Sequence, residues 1–331
     1  MTRVLILGDG VAARCCAHLL ARSGVSVSFQ PLDRPRLPAI MLSEAAQALI
    51  REAFGLDGLF RHLPRIRRRI VAWGPSASPV ELDHSAVVVS EELLLESLGP
   101  PPPNTAAGTD FDWTICASRP LPVRAAEHRF GSRMASTMPV ELKTTAEPAS
   151  CWIESVEDGW LFLIANAPGH GWLLCVGSCP EELPGKSRLI REQIARYQPA
   201  TAQFAAAPRI VEPLGEPGWI ACGTAAMAFD PLCGDGTAHA VREAILAAAV
   251  IRAAARGDDT VQLLAHYEAR MTAGFSRHLA HCLPYYTSGS DGPWWESEAE
   301  SVTQGLDWCG HRLSRHTAFR YQLNGFDLHA M

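Results

Sequence analysis

The chain has 331 residues, 47% hydrophobic and 19% charged, with a formal net charge of −6. That apolar content builds a full core and excludes disorder as the main state, and the length admits two lobes or one large composite domain. The negative balance excludes a nucleic-acid binder held by bulk positive charge.

Lys143 and Lys186 are the only lysines among 29 Lys and Arg. Coding bias accounts for the imbalance, but any mechanism that needs a lysine has two candidates. The ten cysteines form no C-x-x-C pair. The nearest spacings are Cys15-Cys16 and Cys175-x3-Cys179, so no metal site is expected and the thiols read as small buried hydrophobes of a reducing cytoplasm. Met1 to Ala21 superficially imitates a leader, but Gly8, Gly10 and Arg14 interrupt its apolar run. No stretch reaches the ~18 uninterrupted apolar residues of a membrane span, and the alanine-rich run Ala244–Ala255 is broken by Arg252.

In chain order, Val4-Leu5-Ile6-Leu7 predicts a buried strand, Gly8-Asp9-Gly10 a turn, Val11 to Arg22 a helix ended by Gly24, and Val25 to Phe29 a second strand. Pro31 to Pro38 is a loop, and Ser43 to Phe54 a helix with Ser43 as its cap. Ile66 to Trp73 and Ser85 to Ser90 read as strands, Glu91 to Leu98 as a helix, and Gly99–Thr109, with four consecutive prolines, as an exposed connection. Trp113–Ala117 is a short strand. Arg129 to Val176 is β-rich, Ser187–Tyr197 helical, and Trp219–Gly223 a buried strand. Pro231 to Thr237 is a Gly-rich turn before a helix from about Ala238 to Arg256. The remainder is mostly helical, with an aromatic loop at Tyr285–Trp295. The order βαβ, mixed β, then βα predicts an α/β domain split by a β-sheet insertion.

Gly8-Asp9-Gly10-Val11-Ala12-Ala13 fits G-x-G-x-x-A between an apolar strand and a helix, the context a dinucleotide-binding turn requires. The first glycine permits the turn, the second admits a pyrophosphate, Ala13 lets the helix pack on the strand, and the helix start faces the phosphates. Gln30 closes the second strand where an acid ordinarily holds the ribose, a task it shares with Arg34 or Arg36. Those arginines also read as plain loop charges.

The segment from Cys222 to Thr237, CGTAAMAFDPLCGDGT, resembles the second FAD motif of the aromatic hydroxylases, geranylgeranyl reductases and tryptophan halogenases. The resemblance implies an α/β fold: a Rossmann-like FAD-binding domain of the aromatic-hydroxylase type, an inserted β-sheet substrate domain and a helical C-terminus. It assigns residues 1–64, 99–128 and 208–260 to the FAD domain, 65–98 and 129–207 to the substrate domain, and 261–331 to the helical region. It places Thr224 and Asp230 beside the FAD, and the backbone of Gly234, Asp235, Gly236 and Thr237 at the flavin ring, where N–H groups at a helix start stabilise its reduced, anionic edge. Asp112–Arg124 resembles the family's third-strand segment and keeps its distal arginine, Arg124. The helix beginning at Glu91 is acidic where the family carries an FAD-facing arginine. Thr224 stands where the family has aspartate.

The resemblance further implies an FAD-dependent oxidoreductase: a monooxygenase that hydroxylates an aromatic ring through a flavin hydroperoxide. The ring belongs either to a small molecule or to a tryptophan of a partner protein, as in the flavoproteins that mature quinone cofactors of amino-acid oxidases. Pro231, Gly234, Asp235 and His239 are the candidates for the reacting centre. Glu44, Trp160, Phe162 and Trp294 are the candidates for substrate contact, with packing and helix-dipole roles as their alternatives. Asp158 to Ile164 resembles the halogenases' G-W-x-W-x-I segment. The absence of a lysine before Lys143, and Asp235 where a halide would sit, argue against halogenation. Gly234-Asp235-Gly236 instead resembles the reductases, which keeps reduction of a hydrophobic substrate open beside a non-catalytic flavin-binding role. Only one nucleotide fingerprint is present, so electrons are expected from transient NAD(P)H or a separate flavin reductase.

Overall fold

The computed structural model describes residues 1–75, 78–101, 110–120, 125–147, 149–315 and 320–331. The chain enters on β1 (Arg3–Leu7), turns into α1 (Val11–Ala21) and returns on β2 (Ser26–Gln30). β1 and β2 are parallel, with Val4 opposite Val27 and Leu7 opposite Gln30. A loop leads to β3 (Ile40–Ser43), α2 (Glu44–Phe54), β4 (Arg65–Ala72), β5 (Val80–Val89) and α3 (Glu91–Ser97). The hydroxyls of Ser43 and Ser90 cap α2 and α3, accepting from the N–H groups of Ala46 and Leu93. β6 (Trp113–Cys116) returns to the first sheet, parallel to β1.

The chain then builds β7 (Ala126–Arg129), β8 (Met134–Leu142), β9 (Ser150–Val156), β10 (Gly159–Ala167), β11 (His170–Gly177), α4 (Leu183–Lys186), β12 (Ile194–Tyr197), β13 (Ala202–Ala205) and β14 (Arg209–Glu212). β15 (Gly215–Glu216), β16 (Trp219–Ala221), α5 (Gly223–Ala226), β17 (Met227–Ala228) and α6 (Gly236–Ala255) follow. The chain closes with α7 (Thr260–Ser288), α8 (Pro293–Leu313) and a hairpin of β18 (Tyr321–Asn324) and β19 (Asp327–Ala330). The first sheet has the order β15-β16-β6-β1-β2 and the second β12-β8-β11-β10-β9-β4-β5-β3, with β13 also on β8. A third, small sheet is β17-β14-β7.

The alternating and continuous apolar runs place the core as expected. Val4, Ile6 and Ile115 of the parallel strands are fully buried beneath α1 and α6, whose runs of alanine bring the two helices close. No helix among the described residues is long and apolar enough to cross a membrane.

Two expectations are corrected. The helix predicted over Ser187–Tyr197 is absent; a single 3-10 turn, Arg191–Gln193, leads directly into β12. The buried carboxylate of Glu154 on β9 accepts the N–H groups of Arg188, Leu189 and Ile190 and the Ser187 hydroxyl, fixing a tight turn there. The aromatic loop at Tyr285–Trp295 is the junction of two helices instead. α7 continues through Pro284 to Ser288 and α8 begins at Pro293, so Tyr286 and Trp295 are core residues, each 1% exposed. Of the proline-rich connection, 102–109 lies outside the described residues.

Candidate functional site

The first glycine turn is shaped by what its glycines cannot accommodate. Gly8 has φ +137°, and a Cβ on it would lie 2.8 Å from Ser118 Oγ and 3.1 Å from Ser118 N. Its N–H donates to the Gln30 carbonyl at 3.0 Å, and Gln30 itself is exposed at the end of β2. Val11, Ala12 and Ala13 are buried in the first turn of α1, whose start at Gly10 has no side-chain cap. Its N–H groups therefore remain available to an anion.

Three arginines converge on this turn. Arg36 donates to the Asp9 carbonyl at 2.6 Å and pairs with the Asp9 carboxylate. Arg14 reaches the Gly99 carbonyl at 2.8 Å and Asp9 at 3.4 Å. Arg34 forks onto the buried carboxylate of Glu91, and one of the two paired nitrogens lies 2.8 Å from where a Cβ on Gly10 would stand. The acidic residue on α3 thus holds a cation from the β2–β3 loop over the glycine turn.

The second glycine turn begins after β16. Gly223 takes φ +56°, and its N–H donates at 2.7 Å to Glu243, a buried residue of α6 whose carboxyl is pushed well above its ordinary pKa by burial. Thr224 is exposed; its hydroxyl reaches the Ala117 carbonyl at 3.4 Å and its own carbonyl accepts from Arg209 at 2.7 Å. Pro231–Cys233 forms a 3-10 turn, and Gly234 is left-handed at φ +63°. Asp235 precedes α6 without capping it; its carboxylate pairs with Arg242 at 2.9 Å and lies 3.9 Å from His239. Gly234 and Gly236 face open space, and Thr237 is half-buried in the first turn of α6.

A cavity of about 440 Å³ adjoins this turn, lined by Met41, Ser43 and Ala45, by Arg69 and His84 of the second sheet, by Cys233, Gly234 and Asp235, by His239 and Arg242 of α6, and by Gly274, Arg277, His278 and His281 of α7. Three arginines and four histidines thus share the wall with one carboxylate. His239 stacks on Phe229 at 4.0 Å, and burial lowers its pKa to about 4 against the pull of Asp235. His84, within 3.2 Å of Arg69, is also lowered, by burial and then by that arginine. Cys233 is lowered to about 5, chiefly by a hydrogen bond from Cys282 and further by His278.

Of the sequence-derived candidates, Gly234, Asp235 and His239 meet on this cavity, and Pro231, Gly236 and Thr237 flank it in the chain. Asp230 points inward, and this corrects its expected contact with the cofactor. Its carboxylate caps Leu232 N at 2.9 Å, accepts from Tyr286 Oη at 2.7 Å and pairs with Arg133 at 2.8 Å, so it holds the turn rather than presenting to the cavity. Trp160 is also corrected: it is 1% exposed, with its N–H on Tyr286 Oη at 3.2 Å. Phe162 is packed between core clusters, and Trp294 stands edge-on to Trp295 at 4.8 Å. Glu44 lies between two lining residues but accepts the Ser85 hydroxyl at 2.6 Å. Arg124 lies outside the described residues. Sequence reading missed Arg277, His278, His281 and the Cys233–Cys282 pair; His278-x3-Cys282, one turn apart on α7, was the available signal.

No family model and no curated protein matches the chain. Solved structures do. The chain is similar to the myxobacterial chondrochloren halogenase CndH, a variant of the FAD-dependent halogenases, with 15% identity and a TM-score of 0.76 over 95% of this chain and 91% of that one. It is similar to the peptidyl tryptophan dihydroxylase QhpG, essential for tryptophylquinone cofactor biogenesis, with 20% identity and a TM-score of 0.75 over 90% of this chain and 78% of that one. It is similar to the p-nitrophenol 4-monooxygenase PnpA from Pseudomonas putida, with 14% identity and a TM-score of 0.66 over 95% and 98%. The likeness establishes the fold, the one shared by FAD-dependent halogenases and monooxygenases.

Proposed function

We propose that this chain is an FAD-dependent monooxygenase acting on an aromatic ring. The observation that carries the reading is the presence of two uncapped helix starts behind glycine turns. One, at Gly10, is ringed by arginines, and the other, at Asp235, opens on the cation-lined cavity. Gly234 and Gly236 of the second turn face open space, and at the first turn Gly10 lets the Arg34 guanidinium approach the helix start, an arrangement that fits an anionic dinucleotide. Gly8, Gly10, Val11, Ala12 and Ala13 would hold the pyrophosphate with Arg34 and Arg36, Gln30 the ribose, and Thr224 the ribityl chain. When bound, FAD supplies two-electron reduction and the activation of oxygen.

The chain's own groups do the rest. The N–H groups of Gly236 and Thr237 favour negative charge at the ring edge. Arg69, Arg242 and Arg277 orient a substrate that carries negative charge, and Met41 supplies an apolar wall. His239, held neutral at physiological pH by burial, offers a hydrogen-bonding imidazole to the substrate. Both lysines lie off the cavity, Lys186 pairing with Asp158 and Lys143 following β8, which weighs against halogenation.

The substrate is a free aromatic acid or a tryptophan of an acidic partner segment, and a separate reductase delivers the electrons. FAD titration by absorbance, then oxygen reaction of the reduced holoprotein with aromatic acids and their neutral amides, tests this. Expected are a bound flavin spectrum and a product heavier by one oxygen, formed faster from the acid. Failure to bind FAD, or chlorinated product in the presence of halide, would overturn it.

A further inference from the structure

Cys233 and Cys282 stand with their sulfurs 3.5 Å apart, across the junction between the cofactor turn and α7. Cys233 is half-buried and lines the cavity, whereas Cys282 is buried behind it. His278, one helical turn before Cys282, has Nε2 3.5 Å from its sulfur. The only other close thiol pair among the described residues, Cys16 and Cys222 at 3.8 Å, is fully buried. Cys179 is exposed.

We infer that Cys233 and Cys282 form a peroxide-reactive dithiol at the mouth of the cavity, with Cys233 as the attacking thiol and Cys282 as the resolving one. Accessibility sets the order, because Cys233 lines the cavity whereas Cys282 is buried. In the first step the Cys233 thiolate attacks hydrogen peroxide; an S–O bond forms, the O–O bond breaks, and water leaves after protonation. Cys282 then attacks the resulting sulfenic acid; an S–S bond forms, the S–O bond breaks, and the departing hydroxide leaves as a second water with the Cys282 proton. Two thiols and one peroxide give one disulfide and two waters, with two electrons passing from sulfur to oxygen. The charge around Cys233 agrees: the Cys282 S–H and His278 stabilise its thiolate, and the Asp230 carboxylate opposes them.

The three ligand atoms of Cys233, His278 and Cys282 lie within 4.8 Å of one another, a spacing a soft cation also uses. The Nε2 lone pair already accepts the Asp230 N–H at 2.8 Å, however, which leaves two donors and favours the dithiol.

The test uses the reduced full-length protein, exposed to a small excess of hydrogen peroxide at neutral pH, alkylated and peptide-mapped. Expected are linked peptides joining Cys233 to Cys282, reversed by dithiothreitol, with Cys233 consumed about tenfold faster than Cys179. In Cys282→Ser the reaction should stop at a Cys233 sulfenic acid that dimedone captures. Oxidation of Cys179 ahead of Cys233, the absence of linked peptides, or a stoichiometric metal ion lost in both Cys233→Ser and Cys282→Ser would overturn the inference. The wild-type map depends on neither variant folding.

Discussion

Arg34 reaches the nucleotide turn because Glu91 is acidic and buried. The carboxylate accepts both guanidinium nitrogens and also the Leu37 N–H at 3.0 Å, so the loop after β2 is pinned across the chain onto α3. In the proposed complex this arginine replaces the cation that a basic residue on α3 would provide. Arg34→Ala should therefore weaken FAD binding by roughly tenfold, the effect of one charge-assisted hydrogen bond, and should also lower the melting temperature, because it leaves the buried Glu91 carboxylate without its cation. Fluorescence titration of FAD reads this, and an unchanged affinity would remove Arg34 from the site. Gly8→Ala is different in kind. The left-handed backbone and the Ser118 backbone nitrogen cannot yield, so folding stability should fall by about 1–3 kcal/mol, seen as a lower melting temperature in the cofactor-free protein. Gly8 was legible in the sequence because the constraint is local. The Arg34–Glu91 pair was not, because nothing in either segment fixes which carboxylate folds back over which loop.

At the scale of elements, α2 was legible from its Ser43 cap and its one apolar face, and α1 and α6 from the glycine turns that precede them and the apolar runs that bury them on most sides. The false helix at Ser187–Tyr197 failed for a long-range reason: Glu154, a strand residue, takes the N–H groups of its first turn. The junction at 285–295 was misread because Pro284, Gly289, Gly292 and Pro293 are all local breakers, whereas the burial of Tyr286 and Trp295 keeps both helices intact around them. Glu243 belongs to this scale too. It lies within α6, and its raised pKa means that the folded protein holds a proton there which the unfolded chain releases at a lower pH. Its contribution to stability is therefore present below the ordinary glutamate range and is lost as pH rises toward the folded value. Glu243→Gln keeps an acceptor for Gly223 N–H without the charge. Melting curves across the acid-to-alkaline range should show the variant gaining on the wild type as pH rises. A constant difference would mean that the carboxyl is not the titrating group.

Across the whole molecule, one buried network joins the parts that chain order separates. Arg133 just before β8 is fully buried, pairs with Asp230 of the second glycine turn and with Glu298 of α8, and lies 4.3 Å over the ring of Tyr286 from α7. Glu298 also accepts the Ser132 N–H at 2.9 Å and its hydroxyl at 2.7 Å, while Tyr286 takes the N–H of Trp160 from β10. The large sheet, the C-terminal helices and the turn beside the cavity therefore meet on one cation. No sequence pattern announces this, because Arg133 reads as a surface charge until the fold encloses it. The physics makes the two partners unequal. Arg133→Met leaves two carboxylates buried without a cation, and should cost about 3–5 kcal/mol in chemical denaturation. Glu298→Gln leaves Arg133 neutralised by Asp230 and keeps an acceptor for Ser132, so its cost should be clearly smaller. Because Asp230 also caps the second glycine turn, proposed to meet the flavin, Arg133→Met should weaken FAD binding as well, whereas Glu298→Gln should largely spare it. Equal losses from the two variants, in stability and in FAD affinity together, would show that the turn is held by the surrounding core rather than by this ion cluster.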